Sequence, residues 1–138
     1  MASSLIRKVI STAKAPRPAK GSPYNQAVSF NNTVFLSGVL GVDEHLKLVA
    51  GGVGAEAKKA LESIGCILEA AGSSYEQVIK CNIMLNDIND FACVNDVYKE
   101  FFLKNFPARS TYQVGKLPMG ASVEIEVIAA VINEQCNK

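Results

Sequence analysis

The sequence predicts an α/β domain of the α+β kind: a single sheet with two helices packed on one face. Two segments repeat apolar residues at three- and four-residue steps, the period of amphipathic helices. Between and around them lie short apolar or alternating runs bounded by Gly, Pro and Asn, the pattern of strands. No internal repeat, long linker or low-complexity tract divides the 138 residues. Residues 1–138 therefore read as one domain, able to bury roughly two-thirds of the surface its unfolded chain exposes.

Ala27 to Phe30 and Val34 to Ser37 flank Asn31-Asn32 and read as a hairpin, because Asn tolerates the left-handed backbone of a tight turn. Gly38, Gly41 and Gly51 to Gly54 read as a flexible connection. A first helix runs from Ala55 to Ala71. Its face is Ala57, Leu61, Ile64 and Leu68, its charges lie at Lys58, Lys59, Glu62 and Glu69, and Gly72 stops it. Ser74 and Gln77 have capping-box spacing ahead of a strand from Val78 to Leu85.

A second helix is expected from Asn89 to Lys104, with Phe91, Val94, Tyr98, Phe101 and Phe102 as core and Pro107 just past its end. Strands follow near Ser110 to Val114 and Ser122 to Ile132. In the last, Val123, Ile125 and Val127 point one way and Glu124 and Glu126 the other. With both helices on one face, the opposite face carries Phe35, Met84 and Ile128 and calls for a partner, most simply another copy of the chain.

The first 20 residues have two readings. Arg7, Lys8, Lys14, Arg17 and Lys20 occur with no acidic residue, alongside Ser3, Ser4 and Ser11, a composition that suits a mitochondrial transit peptide. The reading taken here is a first strand, Arg7 to Ser11, and a basic loop containing Pro16, Pro18 and Pro23. No secretory apolar core is present, and no apolar run approaches the ~20 residues that span a bilayer. The expected place is the cytoplasm, with the mitochondrion the alternative.

A net charge of +1 provides no basic stripe for a nucleic acid. Cys66, Cys81, Cys93 and Cys136 have no C-x-x-C spacing, and His45 is remote from all four, so no zinc site is expected and the thiols read as free. His45 sits in the polar turn Asp43 to Lys47 and reads as solvent-exposed. Gly51 to Gly54 lacks the Lys-Ser/Thr of a phosphate loop.

Two residues carry candidate chemistry. Arg109, in Asn105-Phe106-Pro107-Ala108-Arg109-Ser110-Thr111-Tyr112, follows a proline turn at the mouth of a strand. It is either a solvated charge or a bidentate anchor for a carboxylate. Glu124 is either an exposed strand carboxylate or a group that handles protons beside a subunit junction. Alternation alone does not separate it from Glu126.

Taken together, the pieces resemble the RidA/YjgF family of reactive-intermediate deaminases, in its eukaryotic perchloric-acid-soluble protein branch. They are Val9-Ile10-Ser11-Thr12, Pro23-Tyr24-Asn25-Gln26-Ala27-Val28, Ser37-Gly38, Gly51-Gly52-Val53 and Glu69-Ala70-Ala71-Gly72. Asp87 to Phe91, Val94 to Tyr98, Phe106 to Ser110, Leu117-Pro118 and Val123 to Glu126 complete the set in the same order. The resemblance implies a chorismate-mutase-like fold assembled as a homotrimer with sites between subunits. It implies hydrolysis of 2-aminoacrylate/2-iminopropanoate and 2-iminobutanoate to 2-keto acids and ammonia, with no metal or organic cofactor. Arg109 then holds the substrate carboxylate, Glu124 positions or activates water, and Tyr24, Ser37, Gly38 and Asn95 line the pocket.

Val39, the longer loop before Pro23-Tyr24, and Cys81-Asn82 depart from the family's usual Gln, Gly-Pro-Tyr and Thr-Thr; Thr111 stands where some relatives carry cysteine. Competing functions are an endoribonuclease acting as a translation inhibitor and a non-catalytic, chaperone-like trimer. The expected partners are a small imino acid and further copies of the chain, with no specific nucleic acid and no membrane.

Overall fold

The computed structural model describes residues 5–132; Cys136, Ser3 and Ser4 lie outside them. Seven strands and two helices make one sheet under one helical layer. They are β1 (Lys8–Ile10), β2 (Ala27–Phe30), β3 (Thr33–Leu36), β4 (Val39–Leu40), α1 (Val53–Ala70), β5 (Val78–Leu85), α2 (Phe91–Phe101), β6 (Ala108–Gln113) and β7 (Val123–Ala130). The strands run in the order β1-β2-β3-β7-β5-β6, and β4 continues the β3 side of β7. Only β5 and β6 pair in parallel, and α2 supplies the crossover between them.

The β2–β3 hairpin turns on Asn31 and Asn32, both left-handed at φ 53° and 59°, the two-residue turn that matches strand twist. The expected flexible connection is instead close packing. Val39–Leu40 pairs with Glu124 and Ile125 of β7, and a Cβ on Gly41 would strike the backbone of Glu56 in α1. Likewise α1 begins at Val53 rather than Ala55, because Gly52 at φ 85° turns the chain directly into the helix.

α1 buries Ala57, Ala60, Leu61, Ile64, Ile67 and Leu68 against the sheet. It closes on a Schellman motif: Gly72 at φ 80° donates to the Glu69 carbonyl at 3.0 Å, and Ser73 donates to Leu68 at 2.8 Å. The Ser74 side chain forms no cap, and a short 3₁₀ turn, Tyr75–Gln77, leads into β5. Tyr75 fits over Gly65, donates its hydroxyl to the Leu61 carbonyl at 2.7 Å and meets the rings of Phe101 and Phe102.

α2 is shorter than the spacing predicts. Asp87 caps a 3₁₀ turn at Ile88–Asp90 by accepting from the Asn89 amide at 2.9 Å, and the helix ends where Phe102 becomes extended. Val94, Tyr98 and Phe102 are buried, but Phe91 stays 40 % exposed and is not core. β6 starts at Ala108 rather than Ser110, in register with Lys80. Pro107 has no N–H to donate, so the ladder opens one residue after it. β7 is likewise shorter at both ends than the expected Ser122 to Ile132.

The core lies between the helices and Val123, Ile125, Val127 and Ala129 of β7, with Cys81, Ile83 and Leu85 of β5 beside them. The other face holds Glu124, Glu126, Ile128, Lys80, Asn82 and Met84, only partly covered, and Phe35 at 47 % exposure. Among the described residues no helix is long and apolar enough to cross a membrane.

Candidate active site

Glu124 stands out from Glu126 once the side chains are placed. Glu126 accepts a hydrogen bond from Asn82 Nδ2 at 3.0 Å, whereas Glu124 lines a cleft of about 500 Å³. Burial, and after it the neighbouring charge of Glu126, raises the Glu124 carboxyl above its ordinary value. A raised carboxyl is the direction expected of a group that exchanges protons during a reaction. Gly38 makes room for it: a Cβ there would collide with the Glu124 carboxylate.

Ser37 and Tyr24 line the same cleft. The Ser37 hydroxyl donates to the Asn25 carbonyl at 2.6 Å, so it faces a ligand with oxygen lone pairs rather than a free proton. Met119, left-handed at φ 62°, closes another side with Pro118. Pro16 to Ala19 form a wall that the sequence does not announce. Gln26, only 5 % exposed, fastens it: Nε2 donates to the carbonyls of Thr12, Ala15 and Pro16, and Oε1 accepts from the Thr12 amide at 2.7 Å.

Arg109 is elsewhere. It is the second residue of β6, opposite Cys81 and so on the helix-bearing face, not at the strand mouth. Its guanidinium lies 4.7 Å from the centroid of Tyr98 and 5.5 Å from that of Phe91, held by cation–π contact. No carboxylate pairs with it among the described residues. Asn95, half-buried on α2, lies four residues after Phe91 and three before Tyr98, on the same side of the helix.

Burial drives the Tyr98 hydroxyl to about 12, with the neighbouring Cys81 adding to the rise and Arg109 opposing it. The Cys81 thiol is likewise pushed up to about 12 by burial, so neither group supplies an anion near neutral pH. The arginine is thus a fixed cation with an open fork.

The six residues named from the sequence therefore fall into two groups. Tyr24, Ser37, Gly38 and Glu124 share the cleft; Arg109 and Asn95 sit beside α2. β6 is two strands from β7, roughly 10 Å across the sheet, and the two groups occupy opposite faces. His45 is exposed in its turn, held by Asp43 Oδ1 accepting from the amides of His45 and Lys47. Among the described residues no three His, Cys, Asp or Glu side chains cluster as metal ligands do.

Comparison with known proteins now bears on this arrangement. Residues 12–131 match the family model described as Endoribonuclease L-PSP. A Bos taurus protein named 2-iminobutanoate/2-iminopropanoate deaminase is 56 % identical over 128 residues, 92 % of each chain. The crystal structure of RidA from an Antarctic Psychrobacter shares 43 % identity at a TM-score of 0.84, covering 90 % of this chain and 99 % of that one. E. coli TdcF with bound serine shares 38 % identity at a TM-score of 0.84, covering 91 % and 99 %. With a family match over most of its length and relatives above half identity, the chain belongs to the RidA/YjgF family, whose family model carries the description Endoribonuclease L-PSP.

Proposed function

We propose that this chain hydrolyses 2-imino acids, namely 2-aminoacrylate/2-iminopropanoate and 2-iminobutanoate, to 2-keto acids and ammonia in a cleft completed by a neighbouring copy. The observation that carries this is the split constellation. One face presents an arginine braced on two rings with no carboxylate partner among the described residues; the other presents a cleft lined by a glutamate whose carboxyl is raised by burial. Neither half suffices alone. A homotrimer in which Arg109 and Asn95 of one copy face the cleft of the next brings them together, and the uncovered face around Phe35 is the surface available for that contact. The bovine relative's name and the serine bound to TdcF agree with a small amino-acid-derived substrate.

The chemistry needs little more than orientation, because an imine is already electrophilic. Arg109 grips the substrate carboxylate with two parallel N–H donors. The Ser37 oxygen accepts from the imine N–H. With the imine protonated, Glu124 takes a proton from water as the water oxygen adds to the C=N carbon, and the nitrogen takes the π pair to become a neutral amine. The Glu124 proton then passes to that nitrogen, the C–N bond breaks as ammonia leaves, and the hydroxyl proton goes to Glu124 as the carbonyl forms, to leave with ammonia as ammonium. Imine plus water balances keto acid plus ammonia, and no cofactor enters. Free thiols at Cys66, Cys81 and Cys93 suit a reducing compartment, and the cytoplasm is the place we assign.

A dehydratase that generates 2-aminoacrylate or 2-iminobutanoate provides the assay. The parent protein accelerates keto-acid release and Arg109→Ala does so far less; an equal rate with and without the parent would refute the reading. The family description raises endoribonuclease activity as a second reading. The sole histidine is exposed at 74 % and lies outside the cleft lining, and the net charge is +1, so the geometry favours the imine. RNA cleavage retained by Arg109→Ala and Glu124→Gln, with no imine hydrolysis in the parent, would reverse that preference; holdase activity retained in the same way would favour a scaffold.

A further inference from the structure

The cleft wall carries a cation that the hydrolysis of a small aliphatic imine does not use. Arg17 lines the cleft together with Glu124, and no carboxylate pairs with it among the described residues. Its backbone is rigid for a surface loop. Pro16 and Pro18 flank it, which fixes φ on both sides and holds Arg17 itself to extended conformations. The residue before it is fastened to the sheet, since the buried Gln26 amide donates to the Pro16 carbonyl at 3.0 Å and to Ala15 at 3.2 Å. Much of the remaining wall is apolar, including Pro18, Val39, Ile67 and Met119. Arg17 is exposed at the cleft, so its charge is open to an anion that a ligand brings.

We propose that Arg17 forms a subsite for a side-chain carboxylate, so that the cleft favours imino acids with an acidic side chain over their alkyl counterparts. The inference rests on the hydrolysis reading and deepens it. Arg109 of the neighbouring copy takes the carboxylate next to the imine carbon, Glu124 serves the reacting carbon, and Arg17 receives the far carboxylate. A cleft of about 500 Å³ has room for that longer chain. Arg17 also offsets the repulsion that Glu124 alone would exert on a second carboxylate.

The test compares two imines made in place: that of alanine, from D-alanine with a D-amino-acid oxidase, and that of glutamate, from D-glutamate with a D-aspartate oxidase. The parent accelerates keto-acid release from both. Arg17→Met lowers the ratio of kcat/KM values, glutamate imine over alanine imine, by about tenfold, and Arg17→Lys keeps most of it. A parent active on the alanine imine but not on the glutamate imine overturns the subsite and leaves the hydrolysis reading standing. So does an Arg17→Met variant that slows both imines equally, because Arg17 would then serve the shared carboxylate or only the loop. Activity on neither imine overturns both.

Discussion

Arg109 is set apart by what surrounds it more than by its charge. Phe91 and Tyr98 hold the guanidinium in place without neutralising it, so the fork is ordered before a ligand arrives. Arg109→Ala should lower kcat/KM by roughly 10- to 100-fold, the loss of one charge-assisted bidentate pair. Its melting temperature should move little, because a partly exposed cation–π contact contributes only about 0.5–1 kcal/mol. Arg109→Lys should recover only part of the rate, since an ammonium lacks the planar fork.

Glu124 makes a second prediction through pH. As the proposed base it must be ionised, and burial and Glu126 raise its carboxyl, so kcat/KM should fall as the pH drops through a value above the ordinary carboxylate range. Glu126→Gln removes the like charge and should move that acid limb downward; an unmoved limb would mean that another group controls it. At this scale the sequence names Arg109 and Glu124 through their family setting. It does not reveal that Arg17 lines the cleft or that Gln26 fastens the wall, because both depend on a loop folded back over distant residues, and Phe91 reads as core because helical period alone does not tell which side of α2 stays open.

Among the elements, the β3–β4 junction sets a glycine directly against the Glu124 side chain. Gly38 is not left-handed, so only space requires glycine there. Gly38→Ala should therefore displace the Glu124 carboxylate and depress kcat, while circular dichroism still reports a folded chain. Gln26→Leu acts through the N-terminal wall instead. It strands the Thr12, Ala15 and Pro16 carbonyls and should cost on the order of 1–3 kcal/mol of stability and raise KM, because the cleft loses a wall rather than a reacting group. α1 was legible because its buried face repeats with helical period over many residues. β4 was not, for two residues carry no period and its glycines suggest looseness where they serve close approach.

The whole molecule places Arg109 and Glu124 on opposite faces of one sheet, and under the proposed shared site assembly and activity would belong together. The helix layer and single sheet were readable from the order of periodic segments. The parallel β5–β6 pairing, which places Arg109 on the face opposite Glu124, required the crossover to be seen. Phe35→Glu, on the uncovered face, should yield a monomer by native mass measurement and abolish activity although Arg109 and Glu124 remain.

The most direct test mixes Arg109→Ala with Glu124→Gln, each strongly impaired alone, and allows subunits to exchange by mild unfolding and refolding. If each site takes Arg109 from one copy and Glu124 from the next, random trimers should regain about one quarter of parental activity. Mixed trimers, verified by mass, that stay inactive would contradict the shared site and place all the chemistry within a single chain.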